Sequence, residues 1–169
     1  MRILRHVLSR KDKKIILEKI GKYMNISDIF RNKELLIELA RMNNIRIYMI
    51  NGKPYFYSTP NTEIIPTLIL FLERGTSFLT NVVVDMGAVP HILNGADVMI
   101  PGIVEINGGL GKNQLCIIVD EKYHKPIAVG KAILDKGKIF SRKRGRAIKN
   151  IHYYNDKIWR IIKEIMRKL

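Results

Sequence analysis

The chain has 169 residues with 30 Lys+Arg against 15 Asp+Glu, a formal net charge of +15, and a single cysteine. Apolar residues make up 47% of it, too many for a disordered basic tail, and one cysteine excludes both a disulfide framework and a cysteine-based zinc site. No apolar run approaches about 18 residues and the basic start lacks an apolar signal region, so the expectation is a folded cytoplasmic protein with a polyanionic partner and no membrane role.

The charge is unevenly placed. Residues 1–75 carry 14 basic and 7 acidic side chains, residues 76–130 three and five, and residues 131–169 thirteen and three. A nearly neutral centre is flanked by basic material at both ends. The densest run is Lys136-Gly137-Lys138, then Arg142-Lys143-Arg144-Gly145-Arg146. Guanidinium groups match phosphate oxygens, and glycine lets a partner approach the backbone closely.

In chain order, Ser9-Arg10-Lys11-Asp12 has the form of a capping box and predicts a helix over residues 10–23. Leu35, Leu36, Leu39 and Ala40 predict a second short helix over 34–42. The run 45–50, then Asn51-Gly52, then Tyr55-Phe56-Tyr57 predicts a β-hairpin turning at 51–52. A helix follows in the stretch 59–73, starting at Thr59-Pro60 or later near Pro66, and stopped by Arg74-Gly75. Val82-Val83-Val84 reads as a buried strand. Asp85 is placed to cap a helix over 87–93 that ends at Asn94-Gly95. Strands are expected at 98–106, 115–119, 127–134 and 145–153, with 136–146 as a basic loop. Asn155-Asp156 caps a final helix whose Ile158, Ile161, Ile162, Ile165 and Leu169 form one stripe.

Motifs of catalysis are absent. Gly108-Gly109-Leu110-Gly111-Lys112 fails as a phosphate loop: Ile106 stands where the first glycine belongs and Asn113 where a Ser or Thr must follow the lysine. His6, His91, His124 and His152 form no metal-ligand spacing, and Cys116 lies in an apolar run typical of a buried thiol. No catalytic residue, metal or cofactor is expected. His152-Tyr153-Tyr154, next to the basic run, offers aromatics that could stack an unpaired base or pack under the last helix.

Val83-Val84-Asp85-Met86-Gly87-Ala88, then Leu93-Asn94-Gly95-Ala96-Asp97-Val98-Met99-Ile100-Pro101-Gly102-Ile103, resembles the opening of a PUA domain. Ile127-Ala128-Val129-Gly130 and the run from Arg144 to Trp159 resemble its closing strands. The hairpin with Asn51-Gly52 and the following Ile65-Pro66-Thr67-Leu68 resemble the pre-PUA domain of the malignant-T-cell-amplified-sequence and ligatin family, in an archaeal form. The resemblance implies an α+β chain: a pre-PUA domain over 1–76, then a PUA pseudo-barrel with a terminal helix over 77–169. It implies RNA binding in translation, with tRNA or rRNA, the small ribosomal subunit and a translation-factor partner. By the same resemblance Gly87, Ala88, His91, Asn94, Gly95, Ala96, Asp97, Pro101 and Gly102 would contact RNA. Charge adds Arg142, Lys143, Arg144 and Arg146 as phosphate holders. An RNA-targeting subunit of a modification enzyme and a ribosome-assembly adaptor are the alternatives.

Overall fold

The computed structural model describes residues 2–22, 24, 25, 27, 30 and 34–169. The chain forms two compact units, Met1–Arg74 with Arg160–Leu169, and Gly75–Trp159. The terminal ten residues thus group with the first unit, whereas the sequence assigns them to the second domain.

In the first unit, β1 (Leu4–Val7), β2 (Ile37–Met42), β3 (Ile45–Ile50), β4 (Lys53–Ser58) and β5 (Ile65–Pro66) form an antiparallel sheet in that spatial order. Helix α1 is Arg10–Gly21, with the Ser9 hydroxyl accepting from the Asp12 N–H at 3.1 Å. Asp12 answers not through the Ser9 backbone but by accepting from its hydroxyl, at 2.9 Å. Helix α2 is Leu68–Arg74, so Pro66 precedes it and belongs to β5. Thr59-Pro60 opens a turn, not a helix.

The helix expected over 34–42 is a strand. Asn43 adopts φ +54° and turns the chain back, so that Met42 faces Ile45. Ile37, Leu39, Ala40 and Met42 are all buried, and β2 is paired along both edges. Two ladders of backbone bonds outweigh a weak helical spacing. The hairpin at 51–52 forms as predicted, with Asn51 at φ +49° and Gly52 at φ +80°, the pair of positive angles a tight hairpin turn demands.

The second unit carries a six-stranded sheet. Its strands are β6 (Thr80–Val84), β7 (Val98–Met99), β8 (Ile103–Asn107), β9 (Leu115–Asp120), β10 (Pro126–Ala132) and β11 (Arg146–Tyr153), in the order β7-β11-β10-β9-β6-β8. Only the β6–β9 pair is parallel. The single strand expected over 98–106 is broken by a 3₁₀ turn at Ile100–Gly102. Its two halves, β7 and β8, sit on opposite edges of the sheet. Three residues join those edges, so the sheet has to curl toward itself, as in the pseudo-barrel that the sequence resemblance implies. Its interior holds Val82, Val84, Ile106, Cys116, Ile118, Ala128 and Ile148, all nearly inaccessible. Gly130 sits at a β-bulge where a Cβ would collide with Ile148. Helix α3 (Val89–Ile92) follows β6, and α4 (Lys136–Ser141) replaces the first part of the expected basic loop. Helix α5 (Lys157–Arg167) is started by Asp156, whose Oδ1 accepts from the Trp159 N–H at 2.7 Å. Ile158, Ile161, Ile162 and Ile165 form its buried stripe, while Leu169 lies beyond the helix and is exposed.

Candidate nucleic-acid interface

The site grows from the turn after β6. The Asp85 N–H donates to the Gly102 carbonyl at 2.9 Å, and Asp85 Oδ1 accepts from the Ala88 N–H at 2.8 Å. Asp85 therefore ties the approach to α3, one turn earlier than a cap of the helix proper. The helix ends as the Gly95 and Ala96 N–H groups bond back to Ile92 and His91, with Gly95 at φ +94°. A Cβ on Gly95 would lie 3.0 Å from the Tyr153 hydroxyl, so Gly95 is required both by its backbone angle and by the ring over it.

Between α3, the 96–99 segment, the 3₁₀ turn and the start of β11 lies a groove of about 500 Å³. Seven residues marked by the sequence line it: Ala88, His91, Ala96, Asp97, Pro101, Gly102 and Arg146. Gly87, Asn94 and Gly95 flank it without lining it. Gly102 lets two chain segments meet, since a Cβ there would stand 3.1 Å from the Ala88 Cβ. Met99, 46% exposed, adds an apolar edge.

Asp97 organises this groove. Its Oδ2 accepts from Arg146 Nη1 at 2.9 Å, and its Oδ1 accepts from the Asn150 N–H at 2.9 Å. Asn150 continues the clamp: its Nδ2 donates to the carbonyls of Ile92 and Ala96, each at 3.0 Å. Asn150 was not marked by the sequence, because an asparagine within a strand carries no signal until register places it beside a helix end. Arg146 is thus a groove residue paired with an acid, and its side chain remains 64% exposed.

Arg142, Lys143 and Arg144 do not line the groove. They form an exposed segment between α4 and β11 and make no ion pair among the described residues. Both ends of the segment are fixed. Asp135 caps α4 by accepting from the Lys138 N–H at 2.9 Å. After the segment, the Gly145 carbonyl accepts from the Ile100 N–H at 2.9 Å. Ile100 begins the 3₁₀ turn that walls the groove, so the basic segment runs directly into the groove rim. Lys136, counted with the basic run in the sequence, is instead structural: its ammonium donates to the carbonyls of Ile106 and Gly108 at 3.0 and 2.9 Å.

Of the two alternatives for the aromatics, the structure shows packing. Tyr153 packs over Gly95 and against the core, and Tyr154 lies on Trp159 with ring centroids 4.5 Å apart. The exposed aromatic next to the basic segment is Phe140, at 55% exposure on α4. The thiol of Cys116 is fully buried, and burial pushes its pKa up to about 12, which leaves it unreactive. His152 is also buried, its Nδ1 2.8 Å from Asp156 Oδ2. Among the described residues no cluster of His, Cys, Asp or Glu is placed to hold a metal ion, and no helix is long and apolar enough to cross a membrane.

Comparison with known proteins agrees with both units. Residues 80–154 match the PUA domain, and residues 4–74 match a domain of unknown function, DUF1947. An uncharacterized protein of Methanocaldococcus jannaschii is 36% identical over 92% of this chain and 94% of its own length. Translation machinery-associated protein 20 of Schizosaccharomyces pombe is 31% identical over 82% of this chain and 78% of its own. Among solved structures, a PUA-domain protein of Aeropyrum pernix in a tartrate complex superposes with a TM-score of 0.86 at 26% identity, over 98% of this chain and 94% of that one. A Pyrococcus horikoshii protein gives 0.80 at 36% identity, over 94% and 99%. The chain belongs to the family of DUF1947–PUA proteins that includes translation machinery-associated protein 20 and malignant T-cell-amplified sequence 1.

Proposed function

We propose that this protein is a non-catalytic RNA-binding protein of the translation apparatus, and that it contacts tRNA or small-subunit rRNA through the groove of its second unit. One observation carries the reading: the Gly145–Ile100 backbone bond joins a run of cations without ion-pair partners among the described residues to the rim of a groove whose lining includes the small residues Ala88, Ala96 and Gly102. The cations hold phosphates and set position. The groove, with main-chain groups at its edges and only Asp85, Asp97, His91 and Arg146 as charged or titratable lining, accepts a nucleotide by shape. The PUA match and the translation-associated relatives support the same direction. A partner protein and the small ribosomal subunit belong to this proposal, as does action in the cytoplasm.

Two measurements test it. In a filter-binding salt titration with tRNA, log K falls by more than about two units per unit of log[salt], because several phosphates are neutralised at once. A shallower slope overturns the multi-phosphate picture. Crosslinking in cells followed by sequencing then distinguishes the RNA. Recovery of tRNA and mature small-subunit rRNA supports the proposal; recovery of precursor rRNA alone replaces it with a ribosome-assembly role.

A further inference from the structure

The first unit has a cavity of its own, about 750 Å³, where α1, the β3–β4 sheet face and the turn after β4 come together. Three cations line it. Lys19 and Lys22 come from the end of α1, three residues apart and so on one helix face, and Arg46 comes from β3. All three are exposed, and none forms an ion pair among the described residues. Glu63 also lines the cavity and pairs with none of them, leaving a local excess of two positive charges.

The hydroxyls are the second observation. Arg46 lies opposite Ser58 in the ladder, and Tyr48 follows Arg46 on the same strand face. Tyr48 and Ser58 are each 5% exposed, and their hydroxyl oxygens are 3.1 Å apart. One hydrogen bond uses one of their two hydrogens; the other hydrogen has no acceptor among the described residues. Thr62 is in the same position. Its oxygen accepts from the Thr59 N–H at 2.8 Å and from the Thr59 hydroxyl at 3.1 Å, so its own hydrogen is left over. Two spare O–H donors and three cations therefore line one polar cavity. The matching ligand is an anion that only accepts hydrogen bonds and carries more than one acceptor oxygen.

We propose that this cavity is a phosphate-binding site of the first unit, with Lys19, Lys22 and Arg46 supplying charge and the Tyr48–Ser58 pair and Thr62 supplying directed donors. The volume exceeds a single inorganic ion and admits a phosphate carried on a nucleotide or in an RNA strand. The proposal rests on the first unit alone and stands whether or not the groove of the second unit binds RNA.

The test uses the ¹⁵N-labelled full chain, titrated separately with inorganic phosphate, with uridine monophosphate and with a short oligouridylate bearing hydroxyl ends. Saturable shifts are expected in the amides of 46–48 and 58–63. Inorganic phosphate or the nucleotide acting alone marks a small-molecule phosphate site, and the oligouridylate acting alone marks a strand site. In the variant Lys19→Gln/Lys22→Gln/Arg46→Gln the dissociation constant rises at least about tenfold, as loss of charge-assisted bonds requires. A charge-matched control, Arg10→Gln/Lys13→Gln/Lys14→Gln, changes it by no more than about twofold, because those side chains lie outside the cavity. The conservative variant Glu63→Gln, which removes the opposing charge, tightens binding. Absence of saturable shifts with all three probes, or equal weakening by both triple variants, overturns the proposal. Weakening by Glu63→Gln at unchanged melting temperature does so too.

Discussion

Asp97 gives the sharpest test of the groove, because two accounts of it predict opposite signs. As an RNA-contacting residue, its loss weakens binding. As the acid that holds Arg146 and the Asn150 backbone, its neutralisation frees a guanidinium at the rim. The substitution that separates them is Asp97→Asn. Asparagine keeps an oxygen for the Asn150 N–H and loses the charge facing Arg146. The pair is solvent-accessible, with side chains 22% and 64% exposed, so its contribution to stability is about 0–1 kcal/mol. For a chain of this size that is a melting shift of no more than about 4 °C. At the RNA, removing one negative charge at about 6 Å from a phosphate with water-like screening is worth about 0.7 kcal/mol, or about threefold in affinity. The salt slope steepens by about 0.7–0.9 if the freed Arg146 gains a phosphate. Fluorescence anisotropy with labelled tRNA across a salt series reads both numbers. Asp97→Ala, which also strands the Asn150 N–H, costs about 1–3 kcal/mol and lowers the melting temperature well beyond Asp97→Asn. Binding weakened more than about threefold by Asp97→Asn, with melting unchanged, refutes this account and makes the carboxylate a direct RNA contact.

Replacing Arg142, Lys143 and Arg144 together by Gln lowers the salt slope by about two to three and weakens unrelated RNAs to a similar extent; an unchanged slope in the same anisotropy series removes the segment from the interface. Gly95→Ala forces an L-residue to φ +94° under the Tyr153 ring and destabilises the second unit by about 1–3 kcal/mol, read by thermal or urea unfolding. A neutral outcome would show that Tyr153 is free to move. Asp120 is a pH probe. Burial alone would raise its pKa, but the N–H groups of Tyr123, Lys125 and Lys122 outweigh it, and the carboxyl is held below its ordinary value. A depressed folded pKa stabilises above the unfolded value of about 4 and is lost as pH falls through the folded one. The stability gap between the parent and Asp120→Asn is therefore widest above about pH 4 and closes below it. A gap that widens on acidification contradicts this.

The sequence announced elements wherever a local signal coincided with the tertiary outcome. Asn51-Gly52 needs two positive backbone angles and obtains them, and Asp156 caps the last helix as its position implies. In residues 34–42, Leu35, Leu36, Leu39 and Ala40 mimic a helical face, but the turn at Asn43-Asn44, with Asn43 at φ +54°, makes the segment one arm of a hairpin. Strand β1 and helix α4 carried no clear periodicity: all four residues of β1 are exposed, and α4 buries only Ile139. In the groove, residue types were legible but their duties were not. Gly95 and Gly102 read equally as contact points and as packing necessities, and only the positions of Tyr153 and Ala88 assign the second duty. Asn150 and the 3₁₀ break at Ile100–Gly102 depend on register between strands distant in sequence, which no local pattern encodes.

The near-neutral central segment has a different meaning once the carboxylates are followed. Of the seven carboxylates in residues 75–159, six accept from backbone N–H groups: Asp85 from Ala88, Asp97 from Asn150, Asp120 from Tyr123 and Lys125, Glu121 from Met86, Asp135 from Lys138, and Asp156 from Tyr153 and Trp159. Glu105 has no such bond among the described residues. Asp85, Asp120, Asp135 and Asp156 close turns or start helices, while Asp97 and Glu121 tie together segments distant in sequence. Apart from Arg146 at Asp97 and the loose Lys138–Asp135 approach at 4.0 Å, the Lys and Arg side chains of this unit lack a carboxylate partner among the described residues. Counting charges along the chain therefore understates the positive field. A carboxylate fixed in a turn by two N–H groups has its charge partly answered by their dipoles, while an unpaired arginine on an exposed segment presents its full charge to solvent. An RNA phosphate approaching the groove rim meets Arg142, Lys143 and Arg144 with no competing acid bound to them. That asymmetry, more than the net +15, is the physical ground for expecting a polyanion at this face.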